Sequence, residues 1–441
     1  MKLFENILRK SGSEKIRDLS SKRRVYLDHA GATPLSVRVL KNLEESFFLY
    51  GNPSAIYKEG VIAKELLTKA KKDIANILSC RPHEIYFTGT GTESIALAIE
   101  GTLMAFEAKK TGITPHVIVT NVEHPAVKVL VEALEKSGRI TLTHVAVESD
   151  GLIKVQKVKE ALRKETILVS IMYVNNEVGT IMPIKEVGRM LALYKEQKKE
   201  EGNEEWLEIE TEGENDQKNE DKKKGEMKDY PYFHIDACQA AQYLSLDVTS
   251  VRADLMTVNS SKVYGPKGVA LLYKKESTEV LPLILGGGQE RTLRSGTEAL
   301  PLITSFASAL LETHEMKYRE KERMEELQKF TKEKLLELLP DISWYGTFEK
   351  GKRVPNNLNF RVSGITSEEM ILRLDAKGFA VSHKSACASE DESMSYVIKA
   401  LGGSDEEAYE NIRVTMGRDT TKGDMERFAQ AVREISAKYR R

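Results

Sequence analysis

Residues 259–268 read Asn-Ser-Ser-Lys-Val-Tyr-Gly-Pro-Lys-Gly, and the lysine of this segment, Lys262, comes 26 positions after Asp236. Asp236 closes a short strand-like run, residues 232–235, and Lys262 follows a second such run, residues 254–258. In open α/β sheets, ligands bind outside the carboxyl ends of the strands. The sequence therefore predicts that both side chains emerge at the ligand-binding edge of a sheet.

An amine and a carboxylate in this arrangement are the parts that a pyridoxal phosphate (PLP) site needs. The amine forms a Schiff base with the cofactor aldehyde, and the carboxylate keeps the pyridine nitrogen protonated so that the ring accepts electrons. Single lysines are common, however, so the alternative that Lys262 is a surface lysine and Asp236 a loop cap stays open, although it is the less favoured one.

Three further polar segments each follow a strand-like run. Residues 89–94 (Gly-Thr-Gly-Thr-Glu-Ser) open a helical stretch, whose first backbone N–H groups suit a phosphate, although ordinary turn chemistry explains the same pattern. His124 could stack on a cofactor ring and exchange protons near neutral pH, or could cap a helix. Asn175 and Asn176 follow the apolar run 167–172. The convergence of these segments on one edge favours a cofactor site.

The motifs together resemble those of cysteine desulfurases of the NifS/IscS type, which belong to the class V aminotransferase family with fold type I PLP architecture. The resemblance covers nearly the whole chain apart from the N-terminus and one insertion. Its most specific segments are Gly51-Asn52-Pro53-Ser54, Asn175-Asn176-Glu177-Val178-Gly179, Lys262-Val263-Tyr264-Gly265-Pro266-Lys267-Gly268, Gly286-Gly287-Gly288-Gln289-Glu290, Arg294-Ser295-Gly296-Thr297 and Ser385-Ala386-Cys387-Ala388-Ser389.

The resemblance implies PLP as the cofactor and a role for each matching position. Lys262 would form the Schiff base, Asp236 would pair with the pyridine nitrogen, and Gln239 would hydrogen-bond the phenolic oxygen of the ring. His124 would stack on the ring and act as an acid and base. The phosphate would be held by Gly91, Thr92, Asn259, Ser261 and, from the neighbouring subunit, Thr297. No metal site is predicted.

The resemblance also implies the substrate and its handling. Asn176 and Arg413 would grip L-cysteine, Arg413 by paired hydrogen bonds to the carboxylate. Cys387 would accept the sulfur as a persulfide, leaving L-alanine. The sulfur would then pass to an acceptor protein, such as an iron–sulfur scaffold, and the enzyme would be a homodimer.

Several positions depart from the family pattern. Asn259 and Ser261 stand where the family usually has serine and histidine, so a charged or aromatic phosphate ligand is missing. Gln289 replaces a histidine, and His29 replaces an asparagine. We expect these changes to affect how tightly the cofactor is held more than the reaction.

Three alternative functions remain open. The chain could be a selenocysteine lyase or another class V PLP enzyme, although Cys387 in its Ser-Ala-Cys setting argues against an aminotransferase. It could serve tRNA or molybdenum cofactor sulfuration instead of iron–sulfur assembly. It could also be an inactive scaffold protein. The loss of Lys262 or Cys387 would have supported this alternative, but both residues are present.

Composition fits a cytoplasmic globular enzyme. The 441 residues are 41% hydrophobic and 30% charged, with a net charge of −1, so neither nucleic acid nor an anionic membrane is an expected partner. No apolar run approaches the ~20 residues of a membrane-spanning helix. Three cysteines, Cys80, Cys238 and Cys387, argue against a disulfide framework. The first two are expected to be structural.

The predicted fold is α/β, with a large PLP-binding domain built on a mainly parallel seven-stranded sheet and a smaller α+β C-terminal domain. We expect a helical N-terminal extension over residues 1–24, a large domain over 25–295 and a small domain over 296–441 that carries the Cys387 loop. Within the large domain, 22 of the 35 residues from 195 to 229 are charged, which predicts a flexible, solvated insertion. The insertion could have no function, or could bind a partner electrostatically.

Overall fold

The computed structural model describes residues 24–200, 230–383 and 394–439 of the chain. They form two compact units. The larger contains residues 32–319 and 346–354, and the smaller contains residues 24–31, 320–345 and those from 355 onward. The predicted N-terminal extension up to residue 23, residues 201–229 of the insertion and Cys387 lie outside the described residues.

The strands are numbered in chain order. They are β1 (Val25–Tyr26), β2 (Ile85–Thr88), β3 (His116–Thr120), β4 (Thr141–Val145), β5 (Thr166–Met172), β6 (Tyr232–Asp236), β7 (Leu255–Asn259), β8 (Ala270–Lys274), β9 (Ser343–Trp344), β10 (Asn357–Arg361), β11 (Phe379–Ala380) and β12 (Asn411–Thr415).

The larger unit is built on a seven-stranded sheet with the order β2-β8-β7-β6-β5-β3-β4. The neighbouring strands from β4 to β7 pair in parallel, whereas β8 runs antiparallel to both β7 and β2. Because β8 is antiparallel to both of its neighbours, β2 runs in the same direction as β7. The carboxyl ends of β2, β3, β5, β6 and β7 therefore share one edge. The predicted mainly parallel seven-stranded sheet is confirmed.

The helices explain how this sheet is covered. They are α1 (Val37–Ser46), α2 (Lys58–Leu78), α3 (Gly91–Glu107), α4 (Pro125–Lys136), α5 (Val155–Ala161), α6 (Ile184–Glu200), α7 (Val248–Val251), α8 (Leu300–Leu338), α9 (Ser367–Ala376), α10 (Tyr396–Ala400), α11 (Asp405–Glu410) and α12 (Lys422–Ser436). Helices between parallel strands must cross the faces of the sheet, which leaves the strands buried on both sides. All seven residues of β5 are accordingly buried.

The border between the two units falls inside α8 and differs from the boundary predicted at residue 296. Thr313, in the first half of α8, donates a hydrogen bond to the carbonyl of Val263 in the larger unit at 3.3 Å. Gln328, in the second half, donates to the carbonyl of Asn357 in the smaller unit at 2.8 Å. A continuous helix of 39 residues carries no break in composition that would mark such a border.

The helix α6 extends into the segment predicted as the flexible insertion and corrects its start. Lys195 is helical, and its Nζ forms an ion pair with Oδ2 of the buried Asp254 at 2.9 Å. Asp254 also accepts the backbone N–H of Phe233 at 2.9 Å. The charge of Lys195 is therefore used inside the fold, which a count of charged residues does not reveal.

The smaller unit contains a three-stranded antiparallel sheet, β12-β10-β9, and the parallel pair β1-β11. The turn after β1 contacts β12, because the backbone N–H of Thr415 donates to the carbonyl of Leu27 at 2.7 Å. Helix α12 supplies the buried residues Phe428, Val432 and Ile435 to the core. Among the described residues, no helix combines the length and apolar character needed to cross a membrane.

Candidate active site

Asp236 occupies the last position of β6, where its side chain is buried. Its Oδ1 accepts the backbone N–H of Cys238 at 3.0 Å. His234 lies two residues earlier on the same face of the strand and bridges its neighbours, with Nδ1 2.8 Å from Ser170 Oγ on β5 and Nε2 3.0 Å from Thr257 Oγ1 on β7. Burial lowers the pKa of His234 to about 4, so it is neutral at physiological pH. His234 therefore links β5, β6 and β7 close to Asp236.

Lys262 ends a short 3₁₀ turn, Ser260–Lys262, directly after β7. Its backbone carbonyl accepts a hydrogen bond from Nε2 of Gln242 at 2.7 Å. The turn is tight, since a Cβ atom at Gly265 would lie 2.2 Å from Ser260 Oγ. The positive charge of Lys262 and the negative charge of Asp236 both act on the thiol of Cys238. Because β6 and β7 are parallel neighbours, the predicted lysine and carboxylate follow adjacent strands at the same edge of the sheet.

Helix α3 begins at Gly91, and Thr90 caps it by accepting the backbone N–H of Glu93 at 3.1 Å. A Cβ atom at Gly91 would lie 3.1 Å from Nδ2 of Asn259 and 3.5 Å from Sγ of Cys238. The helix N-terminus therefore meets the ends of β6 and β7 with little space to spare. Its backbone N–H groups are positioned to bind an anion at this place.

Asn259 organises the residues around this N-terminus. Its Oδ1 accepts the backbone N–H and the hydroxyl of Ser261, both at 3.2 Å. Arg294 lies near the same loop, where its Nε donates to Oε1 of Glu93 at 2.8 Å. Oε2 of Glu93 in turn accepts the backbone N–H of Gly89 at 2.8 Å. The loop before α3 is thus fixed by side chains on both flanks.

His124 is the N-cap of α4, and its Nδ1 accepts the backbone N–H of Ala126 at 3.1 Å. In the neutral ring, the proton therefore resides on Nε2. The preceding Glu123 is almost completely buried and accepts hydrogen bonds from the Thr120 hydroxyl at 2.7 Å and from the backbone N–H of Met172 at 3.0 and 3.1 Å. Burial raises the pKa of Glu123 to about 8.

Glu123 joins the ends of β3 and β5, and Met172 is in register with Asp236 on β6. Neither Glu123 nor His234 was among the site residues predicted from the sequence. The available signals were weak: Glu123 directly precedes His124, and His234 shares a strand face with Asp236. Burial alone reveals that both are structural supports of the site.

Asn176 is buried in the turn that follows β5. The turn is shaped by Asn175, whose Oδ1 accepts the backbone N–H groups of Glu177 and Val178 at 2.9 Å. Asn175 Nδ2 donates to the carbonyl of Val122 at 3.1 Å, which joins this turn to the loop of His124. Gln239 is half-buried after β6, and Thr92 and Thr297 are exposed.

Arg413 belongs to the smaller unit, in the middle of β12, and its side chain is 1% exposed. Its Nη2 forms an ion pair with Oδ1 of Asp28 at 2.7 Å. Its backbone exchanges hydrogen bonds with Ser382, with N–H to carbonyl distances of 2.7 and 3.3 Å. The contact between Asp28 and Arg413 was not predicted from the sequence, because the two residues lie 385 positions apart in the chain.

The two described cysteines are poor nucleophiles. Burial raises the pKa of the Cys80 thiol to about 12 and, together with Asp236, raises that of Cys238 well above its ordinary value. Only the thiolate attacks sulfur, so neither residue is an effective acceptor near neutral pH. This agrees with the structural roles expected for them, and Cys387 lies outside the described residues.

The residues of the larger unit fit PLP on two observations. Gly91 leaves space beside Asn259 that a side chain would fill, at a helix N-terminus suited to a phosphate. Asp236 is a buried carboxylate at the end of β6, and Lys262 follows the neighbouring parallel strand β7. Together they provide an anion site, a partner for a protonated ring nitrogen, and an amine.

Comparisons with known proteins agree with this arrangement. Residues 25–196 and 226–428 match the family "Aminotransferase class-V". The chain is 34% identical to the cysteine desulfurase IscS of Dictyoglomus turgidum, over 95% of this chain and 96% of that protein. It resembles the solved structure of a NifS-like protein with a TM-score of 0.80 and 28% identity, covering 94% of this chain and 99% of the other. A structure of SspA in complex with cysteine matches with a TM-score of 0.69 and 28% identity, over 89% and 98%.

Proposed function

The chain belongs to the aminotransferase class-V family, and from this premise we propose that it is a PLP-dependent cysteine desulfurase. The overall reaction transfers the sulfur atom of L-cysteine to the thiol of Cys387, giving L-alanine and a persulfide. The observation that carries the proposal is the meeting of Lys262, Asp236 and the N-terminus of α3 at one edge of the sheet. Relatives that cover almost the full chain and are named cysteine desulfurases support it.

Bound PLP supplies an electron sink for the substrate and weakens its carbon–sulfur bond. In the proposed mechanism, Asp236 holds the proton of the pyridine nitrogen, and the buried His234 bridge keeps its strand in position. Lys262 would hold the cofactor through its amine, and the same amine, when free, would take the proton from Cα of the substrate. His124, which carries a proton on Nε2 in its neutral form, would donate that proton to the substrate as its sulfur leaves.

Three further residues complete the proposed chemistry. Asn176 and Arg413 hold the substrate, with the guanidinium binding its carboxylate. Cys387 attacks the substrate sulfur as a thiolate, which breaks the bond between that sulfur and Cβ and forms the S–S bond of the persulfide. Gln239 would support the cofactor ring, and its phosphate would be held by Gly91, Thr92, Asn259, Ser261 and Thr297 of the partner subunit.

A homodimer and an acceptor protein belong to the same proposal. Several large apolar side chains of the larger unit are exposed, among them Phe48 at 83% and Ile56 at 97%, and a second copy of the chain would cover them. The persulfide sulfur passes to an acceptor protein, with an iron–sulfur scaffold as the proposed recipient. The proposed compartment is the cytoplasm, because a sparse, odd number of cysteines is typical of proteins in a reducing compartment.

Product analysis tests the function directly. Purified protein with L-cysteine and a reducing thiol should release sulfide and alanine in equal amounts. A selenocysteine lyase would instead act on selenocysteine and leave cysteine largely unreacted. An inactive scaffold would form neither product, and that result would overturn the proposal.

Replacing Ser261 by histidine should slow the loss of the cofactor. The side chains of Asn259 and Ser261 are neutral, whereas a protonated histidine could form a charge-assisted hydrogen bond to the phosphate, which is stronger. We expect Ser261→His to lower the dissociation constant of PLP about threefold to tenfold, measured by removing the cofactor with hydroxylamine and titrating it back.

Ser261→Ala is the matched control and should weaken PLP binding. The competing view is that the hydroxyl of Ser261, held by Asn259, already satisfies the phosphate. Unchanged or weaker binding in Ser261→His would support that view and refute the expected gain.

Deleting the insertion should leave the chemistry intact. Residues 201–229 precede the start of β6 at Tyr232, whereas Asp236 stands at the other end of that strand, about 13 Å from Tyr232. We expect replacement of residues 201–229 by a short Gly/Ser linker to change alanine formation by less than about twofold when a small thiol accepts the sulfur.

A longer deletion provides the control for this experiment. Replacing residues 195–229 also removes the ion pair between Lys195 and the buried Asp254, so it should lower the melting temperature. Loss of activity in the shorter deletion would show that the insertion contributes to catalysis. A defect confined to a protein acceptor would make the insertion a docking element.

A further inference from the structure

Asp28 and Arg413, on β12 of the smaller unit, form an ion pair whose guanidinium is buried. The guanidinium is 1% exposed and the carboxylate 21% exposed, with 2.7 Å between Nη2 and Oδ1. A buried guanidinium needs a compensating charge, because losing the partner of such a pair is strongly destabilising. Asp28 supplies that charge from a turn that contacts the same strand.

The turn holds the Asp28 carboxylate in one position. The backbone of Asp28 forms a parallel bridge with Thr415, and Ala30 N–H donates to the Thr415 hydroxyl at 2.9 Å. The hydroxyl of Tyr26 donates to the Asp28 carbonyl at 2.9 Å. A Cβ atom at Gly31 would lie 2.3 Å from Asp28 Oδ2, so a side chain there would displace the carboxylate.

We propose that Asp28 is a positioning residue that orients Arg413 for the α-carboxylate of the substrate and so sets the preference for amino acids over simple amines. A guanidinium is a rigid plane, so the bond between Nη2 and Asp28 fixes the direction in which the whole donor set of Arg413 faces. The inference deepens the proposed function, because it rests on Arg413 binding the substrate. Asp28 itself touches Arg413 rather than the reacting atoms.

Ligand binding to the PLP-loaded enzyme tests this role. L-Alanine carries the carboxylate, and ethylamine is the same amine without it. Asp28→Asn preserves the size of the side chain but removes its charge. It should raise the dissociation constant of L-alanine about tenfold, followed by the visible absorbance of the enzyme, while that of ethylamine changes by less than about twofold. The KM for L-cysteine should rise similarly, with kcat nearly unchanged.

Gly31→Ala is a second, independent variant, because it moves the carboxylate without changing any charge. It should reproduce the selective loss of L-alanine affinity. Glu410→Gln is the control: it breaks the ion pair with Arg361 on the neighbouring strand, 2.6 Å between Nε and Oε2, and should leave both dissociation constants unchanged.

Two outcomes would overturn the inference. One is unchanged or tighter L-alanine binding in both Asp28→Asn and Gly31→Ala, which would make Asp28 a bystander or a competitor. The other is an equal loss of affinity for ethylamine, which would indicate general damage to the fold. A wild-type protein that binds L-alanine with this selectivity but releases no alanine from cysteine would refute the proposed function and support the role of Asp28.

Discussion

Lys262→Ala is expected to lose the visible absorption band of bound PLP and all measurable alanine formation from cysteine. The visible band expected for such an enzyme is that of the covalent bond between the cofactor aldehyde and a lysine amine. Lys262 ends the 3₁₀ turn that follows β7, next to the strand that ends at Asp236. Because Lys262 is also the proposed base at Cα, we expect turnover to fall by more than about 10⁴-fold.

Lys267 provides the matched control for this prediction. It lies five residues further along the same loop, but its side chain is exposed. Lys267→Ala should retain the absorption band and turn over cysteine at close to the wild-type rate. A normal visible band in Lys262→Ala would refute the assignment, and loss of the band in Lys267→Ala would show that the loop is generally sensitive.

Cys387→Ser is expected to separate cofactor binding from sulfur transfer. The variant should keep the visible band and should still change its spectrum when cysteine binds. It should release no alanine, because a hydroxyl cannot accept sulfur from the substrate to form a persulfide. Absorbance spectroscopy and quantification of alanine measure the two steps on the same sample.

The other thiols define the controls for this experiment. The pKa of Cys80 is raised to about 12 by burial, so its thiolate is scarce at pH 8 and Cys80→Ser should retain full activity. Alanine formation at the wild-type rate in Cys387→Ser would contradict the prediction. The acceptor would then be another thiol, or the reaction a different one.

The order of the chemical parts along the chain could be predicted because it depends on local patterns. Short apolar runs followed by polar turns marked the strands that end near Asn176, Asp236 and Lys262, and the structure ends β5, β6 and β7 at Met172, Asp236 and Asn259. The Gly/Thr turn before residue 95 likewise predicted the helix that begins at Gly91. Apolar periodicity and turn chemistry act over a few residues, so they are legible without the fold.

Contacts between distant segments were decided by the tertiary structure. The antiparallel β8 lies between β7 and β2, and the resulting sheet order places Gly91 against Asn259. No local pattern specifies that order, because it depends on which faces bury one another. The border inside α8 and the ion pair of Lys195 were missed for the same reason.

The sequence by itself determined which residues we propose to carry the chemistry: Lys262, Asp236 and His124 through their positions after predicted strands, and Arg413 through the resemblance of its motif. Only the tertiary structure decided what supports them: Glu123 and His234 are buried under the site, and Asp28 neutralises Arg413 from 385 positions away. The physical reason is that desolvation and ion pairing depend on distance in space. Those distances exist only once the strands and helices have packed.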